Sequence, residues 1–536
     1  MTKVLSPAGA GAAPLQDMGV GSWPIRRARL DPDAVALTQG ERSLTYGHLA
    51  DRVDRIASGL LRAGVASGDR VAFLGLNDIN TFEVFFAVAR AGAVFAPLSH
   101  RLAPAEADAC LAEVGASVIV VGDGVDTLAE QLFALPNGHA ASLLIVRTGG
   151  RPRSGEASLD DLASCPPLAT MSVSLDDPAL LLFTSGTTGR SKAAMLTHGN
   201  LTWNTINQLV HLDILTGERA LCIAPLFHAV GLGQVILPVL LKGGRLEVLP
   251  RFDAGEVLRL VEEQKVSSFS CVPTMLQLMT EHPDWLRRDL SSLRTVLYGG
   301  SPADSRVIAA WRERDIALQQ GYGMTEAGPG AMMATRDGAL AHPDHVGVPH
   351  MFTDIAAAGH DGRPSDVPLD APYELMVRGP HVFTGYWGRE AATAEALTDD
   401  WYRTGDVLRT DADGWSRVVD RVTDVIISGG ENIYPAEVET VLLAVPGVRS
   451  AAVVARPDAR WGEVGVAFVE PADNEEGLQL NAAGLISVLE EKLARFKVPA
   501  SLEIIRELPR TPTGKVLRTD LRARAVASPN QKEPTS

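Results

Sequence analysis

Between Thr45 and Gly64 the apolar residues Leu49, Val53, Ile56 and Leu60 recur at three- and four-residue spacing. That spacing lays one apolar stripe along a helix. Thr45 is placed to cap its first turn, and Gly64 to end it. The period then changes. Arg70–Leu76 (RVAFLGL) is a short apolar run and predicts a buried strand, with a second apolar helix near Phe82–Ala91. Ser117–Val121 (SVIVV), Ser142–Val146 (SLLIV) and Ala179–Phe183 (ALLLF) predict further buried strands. Buried strands alternating with helices predict an α/β fold with largely parallel sheets. Residues 147–178 are rich in Gly, Pro, Ser and Asp and are expected to form a surface connection.

Near Asp420–Asp424 the character shifts to a smaller α+β pattern. DVIISGG is followed by a helix from Pro435 to about Ala444, the apolar segments SAAVVAR and GVAFVE, a helix near Leu485–Leu493, and a basic end containing Pro and Gly. The pattern therefore predicts a large N-terminal part, residues 1–422, and a small C-terminal part, residues 423–536. Residues 1–17 and those from about 525 onward are expected to fray. The longest apolar stretch, near Val230–Leu241, contains Gln234 and Pro238. It is shorter than the roughly 20 residues a membrane span needs.

Composition narrows the partners. With 536 residues, 46% apolar and 21% charged, the chain is an ordinary multidomain globular protein. Its net charge of −16 opposes binding to nucleic acid or to an anionic membrane, so any anion site has to be local. Cys110, Cys165, Cys222 and Cys271 form no C-x-x-C pair, which argues against a disulfide framework or a zinc site. No signal-peptide pattern opens the chain, and a cytoplasmic location is expected.

The segment Leu182–Lys192 (LFTSGTTGRSK) carries the first candidate chemistry. Gly186 and Gly189 let backbone N–H groups converge on an anion, while Thr184, Ser185, Thr187 and Thr188 add small donors and Lys192 a fixed charge. It is not a Walker A loop, because Ser191 stands before the lysine and the next helix is expected only near Asn200. On its own, the segment reads equally well as a plain hairpin loop. GYGMTE (Gly321–Glu326) sets Thr325 beside Glu326, a carboxylate suited to Mg2+. YRTGDV offers Asp406 to paired ribose hydroxyls, and the segment from Asp420 to Pro435 offers Arg421 as a fork donor. PRTPTGKVLR holds Lys515. Singly, Asp406 and Arg421 read as a surface salt bridge and Lys515 as a solvated charge.

In this order and spacing the five segments resemble the adenylate-forming superfamily, which includes acyl- and aryl-CoA synthetases, adenylation domains of peptide synthetases and firefly luciferase. The resemblance runs from about Trp23 to Leu521. It implies a large N-terminal domain of α/β subdomains and a small mobile C-terminal domain. It also implies two half-reactions: a carboxylate attacks ATP to give acyl-AMP and pyrophosphate, and a thiol, usually that of coenzyme A, then displaces AMP. By matched motif, Thr184–Lys192 would bind the β- and γ-phosphates. Gly299, Gly300, Ser301 and Pro302, with Gly321, Tyr322 and Gly323, would flank adenine. Thr325 would touch the α-phosphate, Glu326 the Mg2+, and Asp406 and Arg421 the ribose. Lys515 would bridge the acid carboxylate and the α-phosphate.

His228 in PLFHAVGLG would gate the acyl carboxylate, against the alternative of a core histidine. Val230, Gln234, Tyr298, Gly299, Gly323, Met324 and Ala327 would line an apolar acyl pocket. Gly429 and Gly430 would flank the coenzyme A tunnel. Thr423 occupies the hinge position where relatives usually carry Asp or Lys, Ser191 replaces a usual Pro and Ala193 a usual Gly. The N-terminal GSWPIRRARLDPDAVAL is similar to feruloyl-CoA synthetase-like members, which favours aryl or bulky acids while leaving fatty acids open. Two other readings stand at this point: loading of a carrier-protein thiol, the carrier being a separate protein, and nucleotide binding without catalysis. The expected enzyme is a monomer or homodimer.

Overall fold

The helix foreseen after Thr45 spans Tyr46–Arg62, and the Thr45 hydroxyl accepts the His48 backbone N–H at 3.2 Å. Leu49, Val53, Ile56 and Leu60 are all buried. Beyond the last turn, Gly64 takes φ +98°, a left-handed conformation that glycine adopts without steric cost. The computed structural model describes residues 17–150, 152–169, 171–184, 191–429, 431–510 and 516–527. The readings made for Ser185, Gly186, Thr187, Thr188, Gly189, Gly430 and Lys515 lie outside these residues.

The chain divides into two compact units. One comprises residues 1–343, 349–354 and 377–402; the other comprises 344–348, 355–376 and 403–536. In the first unit, Pro178–Thr184, Val94–Leu98, Arg70–Leu74, Val118–Val121 and Leu144–Arg147 lie side by side in parallel. A second sheet of the same unit runs, in parallel, through Leu318–Tyr322, Thr295–Tyr298, Ser268–Cys271, Arg219–Cys222 and Arg245–Val248. Ligands of parallel sheets gather outside the carboxyl ends of the strands, and the segments following these strands carry most of the candidate residues.

Residues 147–178 differ from the expected connection. They hold the strand Ala157–Ser158 and the helix Leu159–Ala163, with Leu159 and Leu162 buried. A Cβ on Gly59 would come within 2.7 Å of the Leu162 carbonyl, so the short helix sits directly on Tyr46–Arg62. The polar residues that suggested a loop are caps: Ser158 and Asp161 exchange hydrogen bonds, each 3.0 Å long.

The second unit contains Ile426–Ser428, Gly462–Pro471, Val448–Asp458 and Ser501–Ile504 in one sheet. Its two faces follow the two-residue alternation of a strand. Val453, Ala467 and Val469 pack with Val438, Leu442, Leu485 and Leu489, whereas Val454, Val466 and Phe468 pack with Leu521 and Ala525. Among the described residues no helix is long and apolar enough to cross a membrane.

Three histidines of the first unit are fully enclosed. His198 accepts the Val20 N–H on Nδ1 at 3.1 Å, His350 Nε2 meets Gln208 Nε2 at 3.4 Å, and His381 Nε2 meets Thr353 Oγ1 at 3.4 Å. Burial lowers His198 and His381 to about 4 and His350 well below its ordinary 6.5. The unfolded chain therefore takes up protons below pH 6.5 that the folded chain refuses until about pH 4. Stability is expected to fall as pH drops through that window, by up to about 1.4 kcal/mol per pH unit for each histidine. Urea midpoints at pH 7, 6 and 5 check this. In a His381→Gln variant the slope should shrink, and an unchanged slope would mean that His381 charges in the folded state.

Candidate active site

The strands Pro178–Thr184 and Lys192–Thr197 pair in antiparallel fashion and set Thr184 opposite Lys192. The Thr184 hydroxyl donates to the Lys192 carbonyl at 3.4 Å. The helix expected near Asn200 begins at His198, where Thr197 and Asn200 form a capping box. On the free side of Lys192–Thr197 a third strand, Gly385–Tyr386, pairs Tyr386 with Ala194. This places the Tyr386 ring under Lys192, with Nζ 5.0 Å from the ring centroid. The Tyr386 hydroxyl donates to Glu326 Oε1 at 2.9 Å, and the Phe383 N–H donates to the Glu326 carbonyl at 2.8 Å. Thr184, Lys192 and Glu326 are thus drawn together by a residue the sequence reading did not single out. Burial, reinforced by the neighbouring carboxylate, pushes the Tyr386 phenol up, so it stays protonated and acts as a donor.

Glu326 is buried and keeps its second carboxylate oxygen without a partner among the described residues. One carboxylate beside hydroxyls and a lysine is a donor set that fits a hard cation still carrying phosphate and water. Removing the phenol hydroxyl in Tyr386→Phe costs a hydrogen bond to a charged group. We expect roughly 10-fold slower acid activation, together with a higher Mg2+ concentration for half-maximal rate. A Mg2+ titration of wild type and variant checks it.

The adjacent strands Thr295–Tyr298 and Leu318–Tyr322 end in Gly299–Pro302 and Gly321–Glu326. A Cβ on Gly299 would come within 3.0 Å of the Gly321 carbonyl, and Gly300 takes φ +86°. Gln234 wedges beside them. Its Nε2 would lie 3.2 Å from a Cβ on Gly299 and 3.0 Å from one on Gly321, and it donates to the Pro329 carbonyl at 3.3 Å. His228, Val230, Gly323, Met324 and Thr325 are half-buried, as a pocket wall requires; Ser301 and Pro302 are exposed, and Tyr322 and Ala327 are buried. The His228 ring lies 4.5 Å from that of Phe227.

Tyr298, expected to line the acyl pocket, is buried. Its ring is 1% exposed, packs with Phe269 and Trp311, and donates its hydroxyl to Gln320 Oε1 at 3.1 Å. Strand alternation explains this, because Tyr298 shares the core face with Val296 two residues earlier. Tyr298 thus packs within the core cluster of this sheet.

In the second unit, strand register sets Asp406 opposite Arg421, and Arg421 Nε lies 3.2 Å from Asp406 Oδ1. The next residues are tied down. The Thr423 carbonyl accepts Arg522 at 3.0 Å, and Asp424 holds both Arg522 and Arg518. Burial raises Asp420 to about 6, although its carboxylate accepts the Ala436 and Arg421 N–H groups. Gly429 takes φ +60°, and a Cβ there would meet the Trp461 ring at 2.8 Å, so no larger residue fits.

Residues 25–387 match the model of the AMP-binding enzyme family, and residues 437–515 match that of the AMP-binding enzyme C-terminal domain. The chain belongs to the AMP-binding enzyme family. It is 48% identical to a feruloyl-CoA synthase of Amycolatopsis sp over 95% of this chain and all of that protein. It is also 37% identical to an indoleacetate–CoA ligase of Aromatoleum aromaticum over 94% of this chain and 98% of the relative. Among solved structures it is similar to o-succinylbenzoate CoA synthetase from Bacillus subtilis with its acyl-adenylate, at TM-score 0.82 and 29% identity over 94% of this chain and 98% of that one. ATP-bound MatB from Rhodopseudomonas palustris has TM-score 0.84 and 28% identity, covering 95% and 99%. The chain is accordingly an acid–thiol ligase of the adenylate-forming superfamily, an ATP-dependent acyl-CoA ligase with the α/β architecture foreseen. ATP and coenzyme A are substrates of this family, and the non-catalytic reading falls away.

Proposed function

We propose that this enzyme activates a planar aryl acid of the hydroxycinnamate type as its acyl-AMP and passes the acyl group to coenzyme A. The observation that carries the chemistry is the meeting of Lys192 and Glu326 on either side of Tyr386. A cation for phosphate oxygens and a carboxylate for Mg2+ at one place is what a triphosphate needs. Mg2+ held at Glu326 would neutralise phosphate charge, with Thr184 and residues 185–192 around the β- and γ-phosphates. Thr325 would face the α-phosphate, Tyr322 the adenine, and Asp406 and Arg421 the ribose. His228 would stand at the acid carboxylate. Residues 423–536 would swing about Thr423 after activation, withdrawing Lys515 and turning Gly429 and Gly430 toward the incoming thiol.

The acid class is supported by the relatives. Identity is 48% to the feruloyl-CoA synthase, 37% to the indoleacetate ligase and 32% to a long-chain-fatty-acid ligase of Mycobacterium tuberculosis. Glycines at 299, 321 and 323 let the backbone approach Gln234 and Pro329 closely. Gln234, 1% exposed and with Oε1 unpartnered among the described residues, would offer an acceptor to a ring hydroxyl.

AMP and pyrophosphate release with ferulate, indoleacetate and palmitate tests the proposal. We expect kcat/KM for ferulate at least ~10-fold above palmitate, the discrimination a shaped pocket supplies. Preference for palmitate would overturn the acid class, and ADP as product would overturn the chemistry. Replacing coenzyme A by a phosphopantetheinyl carrier protein separates the carrier-loading alternative.

A further inference from the structure

The helix His198–His211 of the first unit follows the strand Lys192–Thr197, and its buried face is largely polar. Asn200, Asn204, Asn207 and Gln208 stand at positions i, i+4, i+7 and i+8, the spacing of one helix face, and all of them are buried. Apolar residues usually fill such a face. Carboxamides are costly there unless their donors are used, so the groups they donate to show what they hold.

Asn200 makes two kinds of contact. Its Oδ1 accepts the Thr197 N–H at 2.9 Å, which closes the capping box. Its Nδ2 donates to the Pro380 carbonyl at 2.9 Å and to the Val382 carbonyl at 2.8 Å. The next N–H along that segment, from Phe383, donates to the Glu326 carbonyl, and Tyr386 donates to Glu326 Oε1. One amide thus anchors the segment that carries both holds on Glu326. A turn further along the helix, Asn204 Nδ2 donates to the Gly233 carbonyl at 2.9 Å. A Cβ on Gly233 would run into Pro329, and one on Gly323 would come within 2.8 Å of the Pro329 backbone. Gln234, the residue after Gly233, donates to the Pro329 carbonyl at 3.3 Å. Asn204 therefore anchors the layer that carries Gln234 and supports Gly323.

We propose that Asn200 and Asn204 are positioning residues for the two halves of the site. Asn200 aims the Glu326 carboxylate through residues 380–386, and Asn204 sets the acid wall through Gly233 and Gln234. This rests on the assignments of Glu326 to Mg2+ and of Gln234 to the acid. Val382 and Gly233 are buried, so a carbonyl that loses its donor there draws its segment toward another partner. The two asparagines share no partner in these bonds, so their effects should separate.

The test compares wild type, Asn200→Asp, Asn200→Ala and Asn204→Ala. Aspartate at 200 keeps the acceptor for the Thr197 N–H, and with it the cap, but loses both donated bonds. We expect both Asn200 variants to raise the Mg2+ concentration for half-maximal acid-dependent pyrophosphate exchange at least ~3-fold. Their KM for ferulate should stay within about twofold of wild type. Asn204→Ala should do the reverse. With no ligand present, hydrogen exchange should quicken at residues 380–386 in the Asn200 variants and at residues 231–235 in Asn204→Ala. If Asn200→Asp matches wild type in both Mg2+ dependence and hydrogen exchange, Asn200 is only a helix cap and its positioning role is overturned. Equal rises of the Mg2+ midpoint and of KM for ferulate in all three variants would mean general loosening and overturn the proposal as a whole. Glu326→Gln and Gln234→Leu test the assignments beneath it. An unchanged Mg2+ midpoint in the first, or an unchanged KM for ferulate in the second, refutes that assignment instead, and hydrogen exchange still decides the anchoring.

Discussion

Replacing Lys515 by Ala is expected to slow acyl-AMP formation at least ~10²-fold, the scale of losing one donor aimed at developing charge. In the proposed chemistry two anions must meet, the acid carboxylate and the α-phosphate, and an ammonium between them offsets their repulsion as charge builds up. Lys515 itself lies outside the described residues, but the base of its segment is well fixed. Arg510 and Val516 pair across residues 511–515, the Leu517 N–H donates to the Pro509 carbonyl at 2.8 Å, and Arg518 is clamped by Glu439 at 2.8 Å. Thioester formation from supplied acyl-AMP does not bring those anions together and should fall much less. Pyrophosphate exchange and single-turnover thioester formation separate the two steps, and equal losses in both would remove Lys515 from its role.

What could be read from the sequence depended on the range of the signal. The helix after Thr45 and the strand–helix alternation were legible because period and caps are local. Asp406 and Arg421 were legible as separate motifs, whereas their contact comes from strand register, which no local pattern states. Tyr386 was not legible. It lies 60 residues from Glu326 in a glycine-rich stretch, and only its pairing beside Ala194 brings it under Lys192. Periodicity marks Tyr298 as buried but cannot distinguish core from pocket wall, and the caps at Ser158 and Asp161 resemble loop composition until Leu159 and Leu162 have something to pack against.

Asp406→Ala is expected to raise KM for ATP by ~10²-fold or more while leaving folding nearly intact. A buried carboxylate that accepts both hydroxyls of a ribose makes two charge-assisted hydrogen bonds, each worth roughly 1.5–3 kcal/mol. The alternative, that Asp406 merely forms a structural pair with Arg421, predicts something different. The Arg421 side chain is 56% exposed against 10% for Asp406, so releasing it into water costs little, and such a pair contributes about 0–1 kcal/mol. A structural role therefore predicts a small loss of thermal stability and an unchanged KM for ATP. A ribose role predicts a large KM shift with melting temperature almost unmoved, and it predicts that 2′-deoxy-ATP, which lacks one hydroxyl, discriminates less between wild type and variant than ATP does. Measuring KM for both nucleotides alongside the melting temperature decides between them, and an ATP KM within threefold of wild type would reject the ribose assignment.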